Sequence, residues 1–225
     1  DELGDLTGQF NELVERMRQS QQMRDLFGRY VSREVAEQVL QKGAALGGES
    51  VAATALFADI RGFTSLSERL PAQQVVDMLN RYCTRMVDVI AAEGGMGNKF
   101  GGDSLLAIFG VPISQPDHAL RAIHAAEQMM KALAGFNAEQ VGLGLPTISI
   151  GIGISSGEMV AGNIGGAARL EYTVIGDPVN LASRLESLTK ELGESVLVSE
   201  HTQRFLNGHA RVPLEPCQQI KVRGK

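Results

Sequence analysis

The stretch that decides the fold is VAATALFADIRGFT, residues 51–64. Its first eight residues are almost all small or apolar, which predicts a buried strand. Asp59 stands at the end of that strand, and Gly62 lets the chain turn sharply into a helix. The segment therefore predicts a carboxylate on a rigid platform, beside backbone amides suited to phosphate oxygens.

A second carboxylate, Asp103, lies in NKFGGDSLLAIFG, residues 98–110. Gly101 and Gly102 interrupt this stretch, and an apolar run follows, which together predict a β-hairpin with its turn near Asp103. Either aspartate alone is more typical of a turn or a helix cap. Two carboxylates on adjacent strands, however, are hard oxygen donors that can bridge a pair of divalent cations.

The remaining sequence alternates strand and helix signals around these two segments. The predicted elements after the first strand are a helix over about 71–92, the hairpin, a helix over about 117–137, a strand with a glycine-rich return over 147–165, a strand over 171–176, a helix to Leu192 with Asp177 as N-cap and Pro178 in its first turn, a strand over 196–199 and a short helix. This order predicts an α+β fold with a largely antiparallel sheet flanked by helices.

The first 45 residues follow a different pattern. Their apolar positions alternate three and four apart, which is typical of a coiled-coil seam: Leu3, Leu6, Phe10, Leu13 and Met17. The phase breaks at Ser20 and Arg24, and a shifted stripe resumes and continues to Val39. Two interpretations stay open, a plain stutter and a signalling helix that transmits rotation or splaying.

Composition narrows the classes of function. The 225 residues carry a formal net charge of −5, which argues against a nucleic-acid binder. Cys83 and Cys217 have neither the spacing of a metal site nor that of a disulfide framework, and indicate structural thiols in a reducing compartment. No apolar run approaches the roughly 18 residues of a membrane helix. The chain opens without Met, as a piece of a longer protein does.

Three further polar residues could serve a nucleotide. Lys99 lies four residues before Asp103 and so on the same side of a regular strand, where it could meet a base or phosphate, or simply be exposed. Asn180 and Arg184 share one helix face at the four-residue spacing. They are either solvated surface residues or a polar pair that places a guanidinium at a reacting phosphorus.

Residues 51–225 resemble a class III nucleotidyl cyclase catalytic domain of the adenylate cyclase kind. Three motifs carry the resemblance, in order: FADIRGFT, KFGGDSLLAIFG and EYTVIGDPVNLASRLE. The resemblance implies the class III cyclase fold over residues 49–225. It also implies conversion of ATP to 3′,5′-cyclic AMP and pyrophosphate.

Each site residue has a role implied by this resemblance. Asp59, Asp103 and the backbone carbonyl of Ile60 would hold two Mg²⁺ or Mn²⁺ ions in each active site. Asn180 would orient the ribose, and Arg184 would stabilise the transition state. The residues implied to contact the substrate are Lys99, Thr173, Gly62, Phe63, Thr64 and Lys225, with Arg223 as the alternative to Lys225 and Arg169 as a further basic candidate.

Lys99 and Thr173 fall at the family's two purine-selecting positions. A lysine can donate to adenine N1, whereas guanine N1 carries a proton and favours an acceptor such as glutamate. A threonine hydroxyl can accept from the adenine amino group. The Lys–Thr pair resembles a bacterial adenylate cyclase subclass and predicts ATP as the substrate.

The resemblance also implies a head-to-tail homodimer with two shared active sites, the aspartates of one chain meeting Lys99, Thr173, Asn180 and Arg184 of the other. Residues 1–20 resemble the second helix of a HAMP signalling module, and residues 21–48 a cyclase transducer helix and linker, so that the fold begins with a coiled-coil helix. Upstream HAMP and transmembrane segments are therefore expected. The chain is expected to be the cytoplasmic domain of a bacterial inner-membrane protein.

Three alternatives compete with this interpretation. A diguanylate cyclase has a similar glycine-rich turn, but here Ser104 and Leu105 follow it, and such enzymes lack a VNLASR-type segment. A guanylate cyclase is disfavoured by Lys99. The third alternative is a catalytically silent, nucleotide-sensing dimerisation module, against which the intact metal, base and arginine positions argue.

Overall fold

The computed structural model describes residues 47–166, 169–206 and 214–217, together with Phe10, Glu12, residues 14–19 and Gln21. The chain divides into two compact units, Asp1–Ala45 and Leu46–Lys225. The described residues of the first unit are helical. The rest of the expected coiled-coil seam, and the expected transducer helix apart from Gln21, lie outside the described residues. Gly47 and Gly48, expected in the linker, already belong to the first strand, because they pair with Asn163 and Gly162. No helix in the described part of the chain is long and apolar enough to cross a membrane.

The second unit contains the sheet and the helices that position the candidate site. Its described elements are β1 Gly47–Ile60, α1 Phe63–Ser67, α2 Ala72–Ala92, β2 Met96–Gly101, β3 Ser104–Phe109, α3 His118–Gly142, β4 Ile150–Gly166, β5 Arg169–Ile175, α4 Asp177–Leu192, β6 Val196–Val198 and α5 Glu200–Arg204. The strands form one sheet in the order β2-β3-β1-β4-β5, and β6 also pairs with β4. All pairings are antiparallel except β4 with β6. The predicted α+β fold, an antiparallel sheet flanked by helices, is confirmed.

One face of the sheet packs on α2 and α3 to form the core. Alternate residues of β1 and β4 project into it, because successive side chains of a strand point to opposite faces. Tyr82 of α2 and Phe136 of α3 meet edge to face with ring centroids 6.2 Å apart. Each large side chain that is fully buried here contributes roughly 1.5–3 kcal/mol to the free energy of unfolding. The core therefore fixes β1 and holds its carboxyl end in place.

The opposite face of β4 carries α4 directly on bare backbone. A Cβ atom added at Gly153 would lie 2.1 Å from the carbonyl oxygen of Ala182 and 2.3 Å from the amide nitrogen of Glu186. At Gly151 it would lie 2.2 Å from Oγ1 of Thr189. With the present neighbours, no side chain fits between the strand and the helix at these two positions. The glycines therefore set how closely α4 approaches the sheet.

The expected glycine-rich return within residues 147–165 is wrong. β4 is one unbroken strand of 17 residues. A Cβ at Gly162 would lie 2.1 Å from the carbonyl oxygen of Gly47, so this glycine permits a close approach of β1. Glycine marks turns and close backbone contacts alike, and in β4 it marks contacts.

Two helix boundaries also differ from prediction. α3 continues to Gly142 rather than ending near Asn137, because Phe136 and Gln140 are buried and Nε2 of Gln140 donates to the carbonyl of Pro146. α4 begins at Asp177, with Gly176 rather than Asp177 at the N-cap. Gly176 lies close against Met159, where a Cβ would be 3.2 Å from that residue's own Cβ.

Candidate active site

Asp59 is the penultimate residue of β1 and is held from both sides by the sheet. It lies opposite Ser104 of β3 and Gly151 of β4. Directly opposed residues share a sheet face, so the Asp59 side chain is on the face where α4 packs. Its neighbours Ala58 and Ile60 are buried in the core on the other face. The carboxylate is half-buried and rigidly placed.

Asp103 occupies the two-residue turn between β2 and β3. Gly102 precedes it with φ 74°, a left-handed conformation that glycine adopts without strain. The residue after Asp103 is Ser104, the cross-strand partner of Asp59, so the hairpin brings the two aspartates side by side. Burial and then the negative charge of Asp103 raise the pKa of Asp59.

Within the described chain, neither aspartate side chain has a hydrogen bond or an ion pair. Two half-buried carboxylates thus lie near each other, and no cationic side chain of the described residues pairs with either. Like charges so placed repel each other, which disfavours their joint ionisation. Hard divalent cations prefer this kind of oxygen donor set, so the residues present fit such a metal.

Glu186 is a third carboxylate near this pair, and no motif in the sequence pointed to it as a site residue. Burial and then the charge of Asp59 raise its pKa, with Asp103 adding to the rise, while the Ser187 hydroxyl and Arg61 oppose it. Its Oε1 lies against Gly151, the cross-strand partner of Asp59. Gly151 and Gly153 leave room for a helix on this face of β4, and they were the sequence signal that could have placed Glu186 near the site.

Arg61 supports the same region from the end of β1. Its backbone amide donates to the carbonyl of Ser149 at 2.8 Å, and its Nη2 donates to the carbonyl of Glu194. Its Nε is buried without a partner in the described part of the chain. The guanidinium is therefore anchored near Glu186 rather than free to neutralise Asp59.

The turn after Asp59 offers backbone groups. The Ile60 side chain is buried in the core, so only its backbone can reach the site. Gly62, with φ 68°, is the N-cap of α1, and the amide of Leu66 donates to its carbonyl at 3.1 Å. The backbone amides of Phe63 and Thr64 lie in the first turn of α1, where amides have no acceptor within the helix.

The structure brings Lys99 and Thr173 into one corner. Lys99 Nζ lies 3.9 Å from Oε1 of Glu171 in β5. Thr173 Oγ1 donates to Oδ1 of Asn98 at 3.0 Å, and Nδ2 of Asn98 donates to the carbonyl of Tyr172 at 2.8 Å. β2 and β5 stand at opposite ends of the strand order, so these bonds show that the twisted sheet curls until its edges meet. Asn98 and Glu171 were not predicted as site residues.

Asn180 and Arg184 lie on the exposed side of α4. Among the residues that the structure describes, no hydrogen bond or ion pair joins either side chain to the aspartates. Within one chain, therefore, Asn180 and Arg184 are not joined by such contacts to Asp59 and Asp103. The Arg169 side chain, Arg223 and Lys225 lie outside the described residues.

A family model described as "Adenylate and Guanylate cyclase catalytic domain" matches residues 48–225. The Mycobacterium tuberculosis protein named "Uncharacterized protein Rv1320c" is 42% identical over 205 residues, which cover 90% of this chain and 34% of the relative. "Uncharacterized protein Rv1319c" of the same species is 39% identical over 225 residues, covering 99% and 40%. The chain thus spans between a third and two fifths of the length of these relatives.

Solved structures show the same fold. The guanylyl cyclase Cya2 matches with a TM-score of 0.73 and 39% identity, over 80% of this chain and 89% of that one. The adenylyl cyclase CyaB from P. aeruginosa matches with a TM-score of 0.67 and 35% identity, over 72% and 83%. The family predicted from three motifs is confirmed: the chain belongs to the adenylate and guanylate cyclase catalytic domains.

Proposed function

We propose that this chain converts ATP to 3′,5′-cyclic AMP and pyrophosphate, at two composite sites of a homodimer. The observation that carries the choice of ATP is the corner in which Lys99 and Thr173 meet. The similar solved structures include a guanylyl and an adenylyl cyclase, so the family alone does not select the base. The choice of ATP rests instead on the hydrogen bonds that the Lys99 and Thr173 side chains can make.

Adenine and guanine present opposite patterns to this corner. Lys99 carries only donors, which suit the unprotonated N1 of adenine and not the protonated N1 of guanine. A threonine hydroxyl can accept from the 6-amino group of adenine, where guanine has a carbonyl oxygen. This pairing supports membership of the bacterial Lys–Thr subclass.

We assign Asp59, Asp103 and the backbone carbonyl of Ile60 as the groups that would hold two Mg²⁺ or Mn²⁺ ions. The unpaired, half-buried carboxylates support this assignment. Such ions, when bound, would favour the ionised 3′-hydroxyl and neutralise phosphate charge. The amides of Gly62, Phe63 and Thr64 lie where the strand gives way to α1 and would donate to phosphate oxygens.

The exposed residues of α4 would serve the reacting phosphate of a second copy. In the reaction the ribose 3′-oxygen bonds to the α-phosphorus, the bond to pyrophosphate breaks, and the hydroxyl proton leaves. Arg184 would stabilise the charge that builds up at phosphorus, and Asn180 would hold the ribose for in-line attack. Lys225, or Arg223, would contact the triphosphate, with Arg169 as a further basic group.

Exposed apolar side chains support the homodimer. Val160 of β4 and Ile175 of β5 are cross-strand partners and are 45% and 55% exposed. Thr173 lies two residues from Ile175, on the same face of this ladder. A second copy covering this face would bury the apolar pair beside the base-selecting residue.

The amino-terminal unit supplies the proposed regulation. Residues 1–20 would be the last HAMP helix, and residues 21–48 the transducer helix and linker. That helix would set the angle between two catalytic domains. Residues 49–225 would be the catalytic domain itself. From the resemblance of residues 1–20 to a HAMP helix, we also propose a further HAMP helix and membrane spans upstream, with the cyclase on the cytoplasmic side.

The test is an assay of the purified chain with ATP or GTP plus Mn²⁺, with products separated by chromatography. Cyclic AMP from ATP, with little product from GTP, is expected. Cyclic GMP as the main product would favour the second candidate, a guanylyl cyclase, which the 39% identity to Cya2 supports. A folded dimer that binds ATP without turnover would favour the silent module.

Complementation tests the shared sites. Asp103→Asn removes a carboxylate and Arg184→Ala a guanidinium, and each variant alone is expected to be nearly inactive. In an equal mixture, half of the dimers pair one variant with the other and regain one intact site. The mixture should therefore recover about a quarter of wild-type activity. No recovery, with mixed dimers shown by mass spectrometry, would contradict the composite arrangement.

A further inference from the structure

Asn98 is positioned by an irregularity in the β2–β3 ladder. Gly97 lies opposite Ala107 and Lys99 opposite Leu106, so the intervening Asn98 has no cross-strand partner in β3. Such a bulge re-aims a side chain away from the regular alternation. Here the side chain reaches across to β5 and contacts both Tyr172 and Thr173.

The Tyr172 carbonyl fixes which way the Asn98 amide group faces. A carbonyl oxygen can only accept, so the group 2.8 Å from it must be the NH₂ end of the amide. The oxygen end then faces Thr173, at 3.0 Å from Oγ1. That oxygen also can only accept, so the Thr173 hydroxyl must donate its single proton to Asn98.

A threonine hydroxyl has one proton and two lone pairs. With the proton committed to Asn98, only the lone pairs remain for any other partner. Thr173 is thereby restricted to the role of acceptor toward a base.

We propose that Asn98 is a specificity-determining positioning residue that turns Thr173 into an obligate acceptor, selecting adenine over guanine. The proposal rests on the function proposed above and deepens it. The 6-amino group of adenine can donate to Thr173. The O6 atom of guanine would face a second acceptor, which leaves a polar group unpaired, and unpaired polar groups at a recognition site are strongly disfavoured. Without Asn98, the hydroxyl could rotate and donate to guanine instead.

The competing interpretation is that Asn98 only ties β5 to β2. That role would change stability, and would change activity with every nucleotide alike. A selective role would change the ratio between nucleotides that differ at the 6-position of the purine. The two interpretations therefore separate on a ratio rather than on activity itself.

The experiment compares kcat/KM for ATP, GTP and purine riboside triphosphate, which lacks the 6-amino group. In Asn98→Ala, the ATP-to-GTP ratio should fall roughly 3- to 10-fold, the value of one net hydrogen bond. The advantage of ATP over purine riboside triphosphate should change less, because a freed hydroxyl can still accept from the 6-amino group. Thr173→Val removes the hydroxyl itself and should lower both ratios. The double variant should show no loss beyond that of Thr173→Val, because Asn98 then has no hydroxyl to orient.

Asn137→Ala is the matched control. Asn137 also makes two hydrogen bonds across a short gap, donating to the carbonyl of Ile148 at 2.8 Å and accepting from its amide at 2.9 Å. It lies on α3, so its loss should lower the melting temperature and leave the nucleotide ratios unchanged. An unchanged ratio in Asn98→Ala, an equal change in Asn137→Ala, or additive losses in the double variant would overturn the proposal.

Equilibrium binding separates this proposal from the proposed function. Calorimetry with 3′-deoxy-ATP and 3′-deoxy-GTP, which cannot cyclise, reports base selection even in a chain without turnover. Preference for 3′-deoxy-ATP that weakens in Asn98→Ala supports Asn98 whether or not product forms. A wild-type preference for 3′-deoxy-GTP would overturn the inference together with the choice of ATP.

Discussion

The carboxylate corner, formed by Asp59, Asp103 and Glu186, and the base corner, formed by Asn98, Lys99, Glu171 and Thr173, treat polar groups in opposite ways. In the first, burial raises the pKa of Asp59 and of Glu186, and the charge of a neighbouring aspartate raises both further. The two aspartates have no hydrogen-bond or ion-pair partner in the described chain. In the second, each side chain has a partner within the chain.

The difference indicates which kind of ligand would suit each corner. Unneutralised carboxylates gain most from a positively charged ligand, because the ligand relieves a repulsion already present. A corner whose hydrogen bonds are already formed needs no rearrangement when a base arrives, and its geometry can discriminate. On the proposed function, the carboxylate corner would therefore attract cations and the base corner would select the nucleotide. The Lys99–Glu171 ion pair contributes little to this, since its side chains are 66% and 40% exposed.

The largest expected effect separates the corners outright. Asp59→Asn should reduce cyclic nucleotide formation to the assay background, and Mn²⁺ should no longer raise the melting temperature. Lys99→Met should keep the stabilisation by Mn²⁺ while losing the preference for ATP. Product chromatography and thermal melts with and without Mn²⁺ measure both. Loss of Mn²⁺ stabilisation in Lys99→Met would show that the corners are not independent.

A smaller effect is expected at Glu186. Glu186→Gln removes a negative charge near the aspartates and should weaken Mn²⁺ binding roughly 10-fold, as outer-shell changes do. Calorimetric titration with Mn²⁺, in the absence of nucleotide, measures it. Glu191→Gln on the same helix is the matched control, because Glu191 is exposed. Equal weakening in both variants would indicate a general charge effect instead of a local one.

The smallest effect concerns stability without metal. Burial and Asp103 raise the pKa of Asp59 above its ordinary value of 3.8. Below the pKa that Asp59 has in the unfolded chain, the group is protonated in both states and does not affect stability. As pH rises through the higher pKa of the folded state, ionisation lowers the free energy of unfolding. Asp59→Asn should therefore raise the metal-free melting temperature at pH 7, with the gain shrinking toward pH 4. A gain independent of pH would contradict this origin.

Local sequence was sufficient to predict the two aspartates of the carboxylate corner, and insufficient for Glu186 and for the base corner's supporting residues. Asp59 and Asp103 follow strong strand signals, so their positions could be inferred from nearby residues. Asn98 acts through a bulge and through the curl that joins the two edges of the sheet, neither of which local periodicity reports. Glu186 depends on how closely α4 approaches β4. The long span of β4 was missed because its glycines carry the signal of a turn.

The bare strand beneath α4 also has a consequence for how this protein can change. At Gly153 an added methyl group would meet backbone atoms, which no neighbouring substitution can remove. At Gly151 it would meet Oγ1 of Thr189 and Oε1 of Glu186, which smaller neighbours could vacate, and only one backbone atom, the Glu186 carbonyl oxygen at 3.3 Å. In a randomised library, position 151 could therefore change only together with Thr189 and Glu186, whereas position 153 would remain glycine in every functional clone.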